Sequence, residues 1–259
     1  MQTTLARLER ISGNLPASLD RVARQPDVER DTSHYLATIG TIKSIDAFLG
    51  NARVYQYAVR AFGLEDMAYA KAFLRKVLSD GIDRPDALAN RLTDPRFREF
   101  AETFNFTRYG AATTSFTRTQ QGTADRFVRQ RLEVDVGKTD EALRLALYFQ
   151  RKAPAVTTPF ALLADRALFR VTQVVLGLPS GAAGQNIDKQ ADLITKRLHI
   201  SDLKDPLALD KLLERFAARW DVQSPAPVQS TLVDLMAGQR TIGISPDLLA
   251  RLQRVQKAI

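Results

Sequence analysis

Apolar residues recur three and four positions apart along most of this 259-residue chain, most clearly in IDAFLGNARVYQYAVRAFGLEDMAYAKAFLRKVL over 45–78. In its first half Ile45, Phe48, Leu49, Ala52, Tyr55, Val59 and Phe62 share a helical face. In its second half Ala70, Phe73, Leu74, Val77 and Leu78 do the same. Gly63 lacks a side chain and can take up the backbone conformation that ends one helix before another begins. The pattern therefore predicts two amphipathic helices meeting at a Gly63-Leu64 corner.

Upstream, Leu5, Leu8, Ile11, Leu15, Leu19 and Val22 predict two short helical pieces over 3–24, expected to be loosely held. A third helix starts at Pro26 and stops at Gly40, with Val28, Tyr35, Leu36 and Ile39 on one face. Asp83-Arg84-Pro85-Asp86 is read as opening a short helix through Leu92, and Asp94-Pro95 as opening one that carries Phe97, Phe100 and Phe104. An Asp side chain can accept from free backbone NH groups, and Pro suits the first helical turn. The same device recurs at Thr158-Pro159, Asp205-Pro206 and Ser245-Pro246. Residues 105–123 are polar and lack a steady period, which predicts a linker or loop. ADRFVRQRLEV and TDEALRLALYFQRK read as helices joined around Gly137. The run 159–176 is apolar nearly all round, which predicts one central helix. Two tail helices are expected near 228–237 and 246–258.

The chain also echoes itself. With Gly63-Leu64 placed on Gly177-Leu178, Leu49 meets Leu163, Tyr55 meets Phe169 and Phe62 meets Leu176 without a gap. After an insertion at 180–185, AFLRKVL matches DLITKRL and Arg96-Phe97 matches Arg215-Phe216. These matches predict an all-α fold of two pseudo-duplicated helical lobes with extra terminal helices. The expected divisions are an N-terminal segment (1–43), a first unit (44–108), a linker with connecting helices (109–156), a second unit (157–222) and a tail (223–259).

Composition narrows the chemistry. Lys plus Arg number 37 against 29 Asp plus Glu, a net +8 that favours acidic partners, membrane surfaces or nucleic acid, or simply aids solubility. The absence of Cys excludes disulfides, thiolate metal sites and Cys nucleophiles. No window approaches the ~18 consecutive apolar residues of a membrane span, and the N-terminus has no signal-peptide core. GKT at 137–139 is not a phosphate loop, because the position that should carry the first Gly is Leu132. GLPSGAAG at 177–184 lacks dinucleotide spacing and reads as a helix connection. His34 and His199 stand without acidic or His neighbours at metal-motif spacing. No catalytic residue, metal site or cofactor is expected.

The best recognition candidate is the basic stretch 108–131. Arg108, Arg118, Arg126, Arg129 and Arg131 face a single acid, Asp125, with Tyr109, Phe116 and Phe127 interleaved. Arginine with aromatics suits acidic protein surfaces and nucleic acid alike.

TIKSIDAFLGNARVYQYAVRAFGLEDMAYAKAFLRKVLSDG, NRLTDPRFREFAETFNF and EALRLALYFQRKAPAVTTPFALLADRAL together resemble the domain-of-unknown-function family DUF1217 of alphaproteobacteria. The resemblance covers roughly 25–222, and AFGLEDMAYAKAFLRKVL is its most specific run. Genes of that family often lie in flagellar clusters, so the resemblance implies a motility setting but carries no site residues. It implies a non-enzymatic protein that contacts flagellar or export-apparatus proteins. Such a protein is expected to be cytoplasmic or, alternatively, exported through the flagellar apparatus without a cleaved signal. The alternative from another class is a nucleic-acid-binding regulator using 108–131.

Overall fold

Side chains that can satisfy free backbone NH groups precede most of the helices, and this capping punctuates the chain into many short elements. The computed structural model describes residues 3–178, 184 and 186–223. The chain divides into units Met1–Gln223 and Ser224–Ile259, and the description is of the first. Ser245-Pro246 and both expected tail helices lie outside the described residues. The fold is all-α, with no strand among the described residues.

Helices α1 (Thr4–Ser12), α2 (Leu15–Ala23) and α3 (Pro26–Ile39) open the chain. They are followed by α4 (Ile45–Gly50), α5 (Ala52–Ala61), α6 (Lys71–Asp80), α7 (Leu88–Arg91), α8 (Pro95–Thr103) and α9 (Phe106–Tyr109). Then come α10 (Gln121–Gly137), α11 (Glu141–Lys152), α12 (Pro159–Ala164), α13 (Arg166–Leu176), α14 (Ile187–Thr195) and α15 (Pro206–Gln223). The Asp94, Thr158 and Asp205 side chains accept from Arg96 N, Ala161 N and Leu207 N, so three predicted helix starts form as read. Asp83 does not behave this way. Asp80 reaches Leu88 N at 3.4 Å, Asn90 Nδ2 holds the Ile82 and Arg84 carbonyls, and α7 shrinks to one turn.

Each expected long helix around a Gly-Leu corner is in fact two. Asn51 takes extended angles (φ −81°, ψ 92°) that end α4, and its side chain caps α5 by accepting from Val54 N. Asp165 (φ −101°, ψ 113°) ends α12 and caps α13 by accepting from Ala167 N and Leu168 N. Both second helices stop at a glycine of positive φ, 68° at Gly63 and 62° at Gly177. The amide after each glycine donates five residues back, Leu64 to Val59 and Leu178 to Gln173, the long-range bond of a Schellman turn. An arginine covers each corner. Arg96 donates to the Gly63 carbonyl, and Arg219 donates to those of Val174 and Val175. The second of these is Arg219, one helical turn beyond the Arg215 that the sequence match singles out.

The likeness is local. Past Gly63 the chain makes a 3₁₀ turn over Glu65–Met67 and enters α6, whereas most of the stretch between Gly177 and α14 lies outside the described residues. The corners also share a core: the buried apolar residues form one cluster from Leu8 to Ala217, not one per lobe.

Its centre is α10 with α11, not the run 159–176. Helix α10 packs against α5 and α11, and α11 also meets α13, α15 and α1. Interrupted at Asp165, the apolar run turns only part of its surface inward, and Phe160 is left 45% exposed. The N-terminal helices are tied in: Leu8 and Val22 are buried, and Arg7 pairs with Asp140 at 3.1 Å. The predicted linker 105–123 is likewise folded. Thr113, Thr114, Thr119 and Thr123 are fully buried, with hydroxyls donating to the carbonyls of Gly110, Ile42, Thr113 and Arg118. A polar segment can be buried when its hydroxyls are paired, and this mode of burial leaves no apolar period to read.

Candidate functional site

The basic stretch 108–131 is divided by the fold into two environments. In the first, Tyr109 and Phe116 meet edge to face with ring centroids 5.0 Å apart. The Arg118 guanidinium lies over both, 4.7 Å from Tyr109 and 4.6 Å from Phe116, and Arg108 lies 5.5 Å from Tyr109. Arg108 also pairs with Asp83 at 3.4 Å, whereas among the described residues no carboxylate pairs with Arg118. Both arginines are exposed, and both rings are half-buried.

In the second environment, on α10, the arginines are held by acids. Arg126 pairs with Glu99 at 3.2 Å and covers the Phe62 ring. Arg131 spans Asp27 and Asp135, each at 3.0 Å. Arg129 is buried, donating to Glu133 at 3.1 Å and to the Leu147 carbonyl at 2.9 Å. Glu133 also takes two bonds from Arg151, at 2.8 and 2.7 Å, so one buried carboxylate serves two guanidiniums. Burial lowers the Arg129 pKa despite Glu133, while at Arg151 burial acts the same way but the bonds and charge of Glu133 prevail and raise it. Arg129 therefore belongs to the framework, and Arg126 and Arg131 are committed to ion pairs. Arg108, Tyr109, Phe116 and Arg118 form the exposed cluster.

A feature that the sequence reading did not find is a cleft of about 1060 Å³ between α3, the Gly63 corner, the start of α8, α10, α11 and the α12–α13 break. Helical periodicity explains its walls. Phe127, Gln130, Arg131, Val134 and Lys138 lie along one face of α10, and Arg144, Leu145, Tyr148, Arg151 and Lys152 along one face of α11. At its base the Tyr148 hydroxyl donates to Asp165 at 2.6 Å, under the Arg151 guanidinium 5.2 Å from the ring. Burial, followed by the charge and bond of Asp165, pushes the Tyr148 phenol well up, so it remains a proton donor at neutral pH. Burial lowers the Lys152 amine, against the ion pair it makes with Glu99.

Among the described residues no cluster of His, Asp and Glu is arranged to hold a metal. The GKT triplet ends α10: Lys138 pairs with Asp135 at 2.7 Å, and Thr139 accepts from Arg7 at 2.9 Å. Among the described residues no helix is long and apolar enough to cross a membrane.

The family model described as protein of unknown function (DUF1217) matches residues 61–209, more than half of the chain. The chain belongs to this family. That span takes in the Gly63 corner, the basic stretch and most of the cleft-lining residues. Among solved structures, the crystal structure of an Agrobacterium tumefaciens protein superposes with a TM-score of 0.81 at 44% identity, covering 86% of this chain and 94% of that one. No curated protein matches the chain.

Proposed function

We propose that this family member is a non-enzymatic helical protein acting through protein–protein contacts in flagellar assembly or motility. The observation that carries the reading is Arg118, an exposed guanidinium laid across Tyr109 and Phe116 with no carboxylate paired to it among the described residues. Arginine and aromatic side chains are enriched where proteins meet, and here they are assembled in advance. The flagellar setting comes from the resemblance of the 45–78 run to a family whose genes accompany flagellar clusters. The same reading takes the Gly63 and Gly177 corners as copies of one module, supported by their common caps, turns and covering arginines.

Four of the five arginines that would serve the nucleic-acid alternative are paired with carboxylates, leaving Arg118, which favours the protein reading. Affinity purification from flagellated cells should recover a flagellar or export-apparatus protein with the wild-type chain and lose it with R118A/F116A. Equal recovery with both chains would reject this surface. Unchanged flagella and swimming after gene deletion would reject the setting, and fractionation of culture supernatant separates the cytoplasmic from the exported version. Salt-dependent binding to DNA or RNA, abolished by the same substitutions, would turn the assignment to nucleic acid.

A further inference from the structure

The cleft has an unusual distribution of charge. Of the cations that line it, Arg60 pairs with Glu65, Arg96 with Asp94, Arg131 with Asp27, Lys138 with Asp135, Arg151 with Glu133 and Lys152 with Glu99. Arg144 and Arg166 also line it, both exposed and, among the described residues, both without an ion pair or hydrogen bond from the guanidinium. Both are neighbours in sequence of residues that share one hydrogen bond. Arg144 lies one turn before Tyr148 on the same face of α11, and Arg166 adjoins Asp165, the acceptor of the Tyr148 hydroxyl.

The Arg144 stem moreover passes close to a neighbour. A Cβ at Gly137 would fall 2.5 Å from Arg144 Cδ and 3.2 Å from its Cβ and Cγ. The bare backbone at the end of α10 therefore provides the bed on which the arginine stem lies. Gly137 has no positive φ that would require glycine, so the need is for space.

Between these cations the cleft also offers apolar surface. Val134, 39% exposed, lines it together with Phe62, Phe127 and Leu145. The volume of about 1060 Å³ lies at the upper end of the ~300–1,000 Å³ range typical of small-molecule pockets. We infer that this cleft is a docking site for an acidic segment of a partner protein, whose carboxylates pair with Arg144 and Arg166 and whose apolar side chains cover Val134. Among the described residues seven carboxylates and eight cations line the cleft, so the sign of the occupant rests on the two unpaired guanidiniums and not on an overall positive charge; the exposed valine gives its mixed character. The inference rests on the reading that the chain works through protein contacts, and it places a second contact site away from the Arg118 cluster.

The test is site-specific photocrosslinking with the full chain in its own flagellated cells, using p-benzoylphenylalanine in place of Val134 and, separately, of Lys138. Mass spectrometry should map the crosslink to a discrete partner segment of net negative charge. In the R144E/R166E background the yield should fall at least about tenfold, as expected for losing two charge-assisted contacts. Both arginines are exposed, and an unchanged thermal unfolding midpoint verifies that the reversed charges leave the fold intact. Crosslinks to neutral or basic segments, to the chain itself or to nucleic acid, or a yield unmoved by R144E/R166E, overturn the inference. The same probe at Phe116 separates the two readings. A crosslink there with silence at 134 and 138 removes the cleft site alone, and silence at all three positions removes both.

Discussion

Around Tyr109 and Phe116, arginines lie over aromatic rings at the surface; along α10, a few residues later, they lie against carboxylates. The side chains are identical and the stretches adjacent, so the difference is one of available partners. Arg129 and Arg131 each have an acid four residues on, Glu133 and Asp135, which a helix places on the same face. Arg118 precedes α10, where no such periodicity brings an acid to it. A guanidinium that is paired and buried stabilises its own fold only as long as its partner remains, whereas an exposed one resting on half-buried rings is available to another molecule. The charge of a basic stretch is thus a poor guide to its role until each cation has been assigned its counterion.

The strongest way to break this comparison is at Glu133. Glu133→Ala leaves Arg129 and Arg151 facing one another without a counterion, and the loss should be about 3–5 kcal/mol in urea unfolding. A loss below about 1 kcal/mol would mean that water reaches these guanidiniums and that the two environments do not differ.

The next effect is alkaline. Burial pushes the phenols of Tyr35, Tyr57 and Tyr148 well above their ordinary value of 10.0. Above that value the unfolded chain gives up these protons while the native chain keeps them. Stability is therefore untouched by them below pH 10 and falls above it, by up to about 1.4 kcal/mol per pH unit for each tyrosine. Lys152, whose amine is lowered chiefly by burial, works in the opposite direction, because the unfolded chain holds that proton longer. Urea unfolding between about pH 9 and about pH 11 should show a net decline, and a flat profile would contradict the burial of these rings.

Smaller again is Arg126→Ala, which removes a partly exposed ion pair with Glu99 and a ring contact with Phe62, expected to cost about 1 kcal/mol. Smallest in stability is Arg118→Ala, expected within about 0.5 kcal/mol by the same measurement. Capture of the partner should show the reverse order, with Arg118→Ala the more damaging of the two. If both substitutions affect capture equally, the boundary drawn between the two stretches is misplaced.

The helical character of the chain was legible because caps and stripes are local signals. Asp94-Pro95 and Thr158-Pro159 announce α8 and α12 without knowledge of the rest of the fold. What escaped reading did so for identifiable reasons. Asn51 and Asp165 interrupt stripes whose apolar spacing continues across the break, so periodicity conceals them; their value as caps, at matching places before the two glycines, was the available clue. Thr113, Thr114, Thr119 and Thr123 are buried by pairing their hydroxyls with distant or irregular carbonyls, and no pattern in sequence marks that. The ion pairs of Arg129 and Arg131 could have been read from spacing alone, whereas that of Arg126 with Glu99 joins α10 to α8 and required the fold. The cleft is of the same kind, since neither the α10 face nor the α11 face encloses a volume by itself.

Gly137 gives this chain a property that belongs to a pair of positions. Because a methyl group there would fall on the Arg144 stem, a side chain at the first position requires the second to move or to shorten. A homologue bearing alanine at the first should carry a shorter residue at the second, and with it a cleft of different charge. Variation at an unremarkable helix end would then report on what each member of the family recognises.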